Sequence, residues 1–327
     1  MLLPNVKENE PLAKYTTFRI GGPAKYFVVA KSSDDVVRAV RAAREEGVAY
    51  ALLGGGANTL IADKGFDGIV IKMQNRGLFI GDGIARAEAG VPLLFLAQEA
   101  VKKGWRGLEF YATIPGSVGG AIRGNAGAFG RETKDVLTRV RVFDGKEERW
   151  LANEECQFVY RESMFKKDRD ATTGHNQYVI LEGEFRLEKG DAKESTKYMR
   201  EILAKKAETQ TLESPSAGCV FANVEFVPGA YDLKDPKHGN PTDAFKHEVP
   251  KEMIERGVVS AGWMIDCLGL KGKTMGGAKV SDKHGNFIVN TGKAKATDIV
   301  MLLSFLKQQV RDQFGIQLQE EIQMIGF

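Results

Sequence analysis

Two glycine-rich stretches constrain this chain most. LGGGANTL (53–60) carries three consecutive glycines, and IPGSVGGAIRGNAGAFG (114–130) carries six glycines in 17 residues. Glycine loses more backbone entropy on folding than any other residue, so such clusters mark places where the backbone turns tightly or meets a ligand closely. Each stretch follows a strand-like segment, and successive N–H groups of such a loop form a concavity suited to phosphate. The spacing is neither GxGxxG opening a helix nor GxxxxGK[ST], which excludes the Rossmann and Walker loops. The first stretch alone reads equally well as a tight turn. Together the two point to a dinucleotide pyrophosphate lying between two small α/β subdomains.

The rest of the chain fits that frame. AKYFVVA (24–30), SSDDVVRAVRAAREEG (32–47), AYALLG (49–54) and DGIVIKM (67–73) give a βαββ rhythm, with Ser and Asp opening the helix and Gly closing it. VPLLFLAQEAVKKG (91–104) is a second amphipathic helix, and TRVRVFD (138–144) and YVILEGEFRLE (178–188) alternate as strands. A charged helix covers 191–210, a turn-rich junction covers 213–218, and residues 226–259 are polar and weakly periodic, as in an insertion or large loop. A helix over 296–315 and a strand over 316–327 complete the pattern.

A chain of 327 residues with 43% hydrophobic and 27% charged residues has the composition of a globular protein of two or three domains. A net charge of +3 gives no reason to expect nucleic acid. The start of the chain lacks a basic region followed by an apolar core, and no apolar run approaches the roughly 20 residues that span a bilayer. Three scattered cysteines and four scattered histidines show no disulfide framework or metal-ligand spacing. The expectation is a cytoplasmic protein in a reducing compartment, without metal, membrane or obligate protein partner.

TTFRIGGPAKYF (16–27), LLGGGANTLIAD (52–63), IPGSVGGAIRGNAGAFG (114–130), YRESMFK (160–166) and GGAKVSDKHGNFIVNTG (276–292) occur in one order along nearly the whole chain. In that order they resemble the UDP-N-acetylenolpyruvoylglucosamine reductase family, within the vanillyl-alcohol-oxidase-like FAD-binding superfamily. No insertion after YRESMFK matches the extra tyrosine-bearing loop of one family type, so the chain resembles the type lacking it. The resemblance implies an α+β fold. Two α/β subdomains (1–74 and 75–212) would sandwich FAD, a C-terminal domain (213–327) would bind the substrate, and the last strand would return toward the flavin. It also implies FAD and NADPH as cofactor and co-substrate, with a UDP-sugar as substrate. Gly54, Gly55, Gly56, Ala57, Asn58 and Thr59 would wrap the pyrophosphate. Ile114, Pro115, Gly116, Ser117, Gly119, Gly120, Asn125, Ala126 and Gly127 would line the rest of the cofactor. Neither loop contains histidine or cysteine, so the flavin is expected to be non-covalent. The flavin loops alone would also suit an alcohol or hydroxy-acid oxidase.

The implied reaction passes a hydride from NADPH through flavin to C3 of an enolpyruvyl group, leaving negative charge on C2 and its carboxylate until C2 is protonated. Arg161 matches the family arginine, and a permanently charged planar fork suits that carboxylate. Tyr160 either helps place substrate or nicotinamide, or is a core aromatic. Of the adjacent Glu320 and Glu321, which a strand points to opposite faces, Glu321 aligns with the family glutamate that polarises the enolpyruvate or assists proton delivery. Cys219 stands where many members carry serine, and a thiol is the stronger acid of the two. Ala222 and Val224 replace the usual lysine and proline after this strand. That family contact to the substrate is either lost or supplied by Lys205, Lys206, Lys271 or Lys279, residues that equally suit a solvated basic face.

Overall fold

The computed structural model describes residues 5–167, 177–210, 214–225 and 249–327. Helices and strands are mixed throughout, as the α+β expectation requires. The chain forms two compact units. The first comprises Met1–Leu12, Pro23–Ala57 and Gly65–Glu208; the second comprises Ala13–Gly22, Asn58–Lys64 and Thr209–Phe327.

In the first unit, helix Ser33–Glu45 starts at a capping box in which Ser32 and Asp35 satisfy each other's backbone N–H groups. Its buried face, Val36, Val37, Ala39, Val40 and Ala43, packs on a four-stranded sheet. That sheet pairs Pro23–Ala30, Phe66–Met73 and Tyr50–Leu53 in parallel. Lys7–Pro11 adds an antiparallel edge strand. This strand, KENEP, has no β-rich composition; its pairing is set by the neighbouring strand, and charge on an open edge discourages further association.

A second sheet in the same unit is antiparallel, in the order Glu148–Ala152, Leu137–Phe143, Val179–Arg186, Ile84–Glu88, Leu78–Gly81. Both sheets contribute to one hydrophobic cluster, joined by helix Leu93–Lys102. The second glycine-rich stretch does not follow a strand, as its sequence implies. It follows a 3-10 turn, Glu109–Thr113, because Phe110 and Tyr111 are consecutive and both buried, which an alternating strand with one wet face does not allow.

The second unit is organised by helix Ala296–Phe314, whose Ile299, Leu302, Leu303, Leu306, Val310 and Phe314 form one buried stripe. Gly315, with φ 68°, ends it in the left-handed conformation. The accompanying sheet runs Ser216–Cys219, Phe287–Asn290, Ala278–Val280, Thr274–Met275. The strand expected over 316–327 is shorter. Gln323–Ile325 pairs in parallel with Thr59–Ile61, and Glu320 makes a single bridge to Phe221. The segment changes partner at the buried Ile322, so no continuous ladder forms. Of the polar stretch 226–259, residues 226–248 lie outside the described residues. The remainder holds helix Lys251–Arg256 and strand Val258–Val259, paired antiparallel with Val224–Glu225, elements too short to leave a periodic signature.

The second sheet of the first unit contains a buried carboxylate whose titration is measurable. Arg139 donates to Glu184 at 2.9 and 2.8 Å and is the main cause of a pKa lowered to about 2; Arg86 at 2.7 Å and Thr138 add to it, against the opposing effect of burial. A carboxyl held below its unfolded value stabilises the fold above that value and loses the contribution as pH falls toward the folded one. Glu184→Gln should therefore cost about 1–3 kcal/mol at pH 7. Urea denaturation of both proteins should show that gap closing between about pH 4.5 and about pH 2.

Candidate active site

The two glycine stretches meet at backbone level in the first unit. A Cβ on Gly55 would lie 2.8 Å from the Gly116 Cα, and one on Gly54 would lie 2.4 Å from the Ser117 Oγ. Only glycine permits that approach. Gly116 has φ 139°, and a side chain there would project into open space, so the loops touch on one side and leave a cradle on the other. Lys72, on strand Phe66–Met73, donates to the Gly54 carbonyl beneath the first loop, and burial lowers its pKa.

The second loop is tied to the turn holding Tyr160 and Arg161. Val159 and Glu162 exchange backbone hydrogen bonds, both 3.2 Å, closing a tight turn over those residues. Arg161 has φ 53° and Asn125 has φ 42°, left-handed conformations that cost a non-glycine residue about 1–2 kcal/mol each. A network holds them. The Arg161 guanidinium donates to the carbonyls of Asn125 (3.4 Å) and Gly127 (2.8 Å), faces Glu132 at 3.8 Å, and lies 5.1 Å over the Tyr160 ring. The buried Asn125 side chain donates to Glu132 and to the Val159 carbonyl, both at 2.9 Å, and accepts from Lys134 N–H at 3.0 Å. Tyr160 is half-buried in the turn rather than set in a strand.

Cys219 and Glu321 belong to the second unit, which brings their segments together. Strand Ser216–Cys219 pairs with Phe287–Asn290 across a bulge, since Ser216 faces Val289 and Cys219 faces Phe287. The extra residue is absorbed where Gly218 takes φ 77°, a device that re-aims the next side chain. Just beyond, Glu321 N–H donates to the Val220 carbonyl at 2.8 Å and Ala222 N–H to the Gln319 carbonyl at 3.0 Å. Asn58 joins this junction through a 3.1 Å bond to the Glu321 carbonyl. Glu320 is held elsewhere, by Lys307 at 2.7 Å. Of the other thiols, Cys156 is fully buried and its pKa is pushed up to about 12 by that burial. Cys267 is also raised, by burial and then by Asp266.

The four candidate lysines are divided. Lys205 and Lys206 are on helix Ala192–Thr209 of the first unit, where Lys206 donates to the Thr113 carbonyl just before the second loop. Lys271 and Lys279 are in the second unit, paired with Asp266 at 2.7 Å and Asp282 at 2.6 Å. One residue that the sequence reading passed over is Asn286, which accepts from Phe221 N–H at 2.9 Å and donates to the Phe221 carbonyl at 2.8 Å. A buried asparagine inside GNFIVN was its only signal. Among the described residues no cluster of histidine, cysteine or carboxylate could hold a metal, and no helix is long and apolar enough to cross a membrane.

The side chains present fit an FAD. The glycine cradle of the first unit offers backbone N–H groups without Cβ obstruction.

Comparison with known proteins agrees. Residues 24–151 match the family described as FAD binding domain, and residues 210–325 match the one described as UDP-N-acetylenolpyruvoylglucosamine reductase, C-terminal domain. Proteins named UDP-N-acetylenolpyruvoylglucosamine reductase are similar over their full lengths. That from Carboxydothermus hydrogenoformans is 38% identical over 98% of this chain and 94% of its own; that from Solibacter usitatus is 35% identical over 99% and 98%. The crystal structure of the Thermus caldophilus UDP-N-acetylenolpyruvylglucosamine reductase superposes with a TM-score of 0.72 at 28% identity, covering 98% of both chains. With both halves matched by family models and relatives above 30% identity spanning it throughout, the chain belongs to the UDP-N-acetylenolpyruvoylglucosamine reductase family and is an FAD-dependent oxidoreductase.

Proposed function

We propose that this chain uses NADPH to reduce UDP-N-acetylglucosamine enolpyruvate to UDP-N-acetylmuramate, in the cytoplasmic supply of peptidoglycan precursors. The observation that carries this reading is the junction at which Glu321 N–H donates to the Val220 carbonyl, next in sequence to Cys219, within the region matching the reductase C-terminal model. Residues 54–59 and the 114–127 residues named above would hold a non-covalent FAD, which when bound would supply hydride-transfer chemistry. Residues 1–74 and 75–212 then serve the cofactor and 213–327 the substrate.

The chain's own residues handle charge and protons. Hydride reaches C3 of the enolpyruvyl double bond, and the electron pair moves onto C2 and the carboxylate. The Arg161 guanidinium, already oriented by two carbonyls, stabilises that charge. The Cys219 Sγ–H gives its proton to C2, completing the saturated lactyl ether. Glu321 polarises the enolpyruvate and assists proton delivery, while Tyr160 stacks against Arg161 and restricts it. Lys271 and Lys279 receive the UDP diphosphate; their partners Asp266 and Asp282 are surface pairs, which contribute little and exchange readily. Lys205 and Lys206 give a second cationic patch, with Lys206 supporting the turn before Ile114. A thiol acid at Cys219 suits a reducing compartment.

Two experiments test this. In anaerobic stopped-flow, NADPH should bleach the flavin and UDP-N-acetylglucosamine enolpyruvate should restore it. Reoxidation by oxygen alone at a comparable rate would instead identify an oxidase. Cys219→Ser should keep most of the turnover and Cys219→Ala should lose about 10²–10⁴-fold; equal activity in all three proteins would remove Cys219 as the acid. For the cofactor cradle, Gly55→Ala forces its Cβ against the Gly116 backbone, whereas a Cβ at Gly124 meets only ordinary contact at 3.5 Å. Gly55→Ala should raise the FAD dissociation constant at least about tenfold (about 1.4 kcal/mol), and Gly124→Ala should leave flavin content unchanged, both read from the visible spectrum.

A further inference from the structure

We infer that Asn58 is a positioning residue for Glu321: its side-chain amide fixes the Glu321 backbone and, through it, the bridge to Val220 beside Cys219. The inference rests on the roles proposed above for Cys219 and Glu321. By its place in GGGANT, Asn58 reads as one more cofactor contact. The compact units place it differently, since the chain passes from the first unit to the second between Ala57 and Asn58.

Three bonds converge there. Asn58 Nδ2 donates to the Glu321 carbonyl at 3.1 Å, and Gln323 N–H donates to the Asn58 carbonyl at 2.9 Å. Gln323 Nε2 reaches the same Glu321 carbonyl at 3.2 Å. Together with Glu321 N–H on Val220, both backbone polar groups of Glu321 are held, one by the residue after Cys219 and the other by Asn58. The bridge between Phe221 and Glu320 is a single pair, and the parallel pairing with Thr59–Ile61 begins only at Gln323. Asn58 spans the gap at which the segment changes partner. The amide orientation follows from the acceptor, because only an N–H can face a carbonyl. Asn58 Oδ1, which has no donor among the described residues, stays available to a ligand. One side chain thus holds the Glu321 carbonyl with its nitrogen while its oxygen has no donor among the described residues.

Displacing a reacting group by about 1 Å can cost about 10²-fold in rate. The test follows the two half-reactions of FAD-saturated enzyme separately, in wild type, Asn58→Ala, Asn58→Asp, Glu321→Gln and the double variant Asn58→Ala/Glu321→Gln. In Asn58→Ala, reoxidation by UDP-N-acetylglucosamine enolpyruvate should slow about 10–100-fold more than flavin reduction by NADPH does. Asn58→Asp, which sets oxygen against oxygen, should be slower still. In the Glu321→Gln background, Asn58→Ala should add less than about threefold, since residues acting as one unit are not additive. Parallel slowing of both half-reactions, or full additivity in the double variant, would overturn the inference and leave Asn58 a cofactor contact alone. Should Asn58→Ala not fold, Asn58→Ser decides by the same comparisons. Wild-type enzyme that fails to reoxidise with the enolpyruvyl substrate would overturn the proposed function instead, a separable result.

Discussion

One backbone hydrogen bond, from Glu321 N–H to the Val220 carbonyl, organises the second unit around its C-terminal segment. Val220 and Phe221 are fully buried, so their peptide groups need partners, and an unmet one would cost about 1–3 kcal/mol. Each available group is matched. Asn286 serves both polar groups of Phe221 with its side chain and the Val220 N–H with its carbonyl, while residues 319–321 take the carbonyl of Val220 and the N–H of Ala222. The core therefore demands the very pairing that carries the Glu321 backbone to Val220.

The first unit solves a different problem. Its second glycine stretch and the Tyr160–Arg161 turn both contain residues in the left-handed region that are not glycine: Asn125, Phe129 and Arg161. Such strain persists only where neighbours over-determine it. Glu132 is the hub that does so, accepting from Asn125, facing Arg161 and pairing with Lys134 at 2.9 Å. An arginine held this way has little rotamer freedom left to lose when an anion arrives, which favours binding through preorganisation.

What was legible in the sequence follows from the range of the interactions involved. The helices at 33–45, 93–102, 192–209 and 296–314 announced themselves because caps and apolar stripes are local signals. The glycine stretches were legible as ligand-facing turns, but their meeting at Gly55 and Gly116 was not, since that contact joins distant segments. Edge strand Lys7–Pro11 was hidden, since its partner rather than its composition makes it a strand. The choice between Glu320 and Glu321 rests on resemblance, and the pairing of Glu320 with Lys307 depends on a helix packing that no local pattern reveals. The bulge at Gly218 and the clamp by Asn286 were equally silent. A bulge is a property of two strands, and an asparagine in a strand does not say whose backbone it reads.

The bond between Asn58 and Glu321 joins residues 263 positions apart. Closing so long a loop carries an entropic cost that is repaid only when both ends already have structure to dock on. The first unit's βαββ sheet can assemble from neighbours in sequence, whereas the junction near Cys219 must wait for segments from opposite ends of the chain. Contacts of low sequence separation therefore close first, and the Asn58–Glu321 junction is among the last to become favourable as the chain folds.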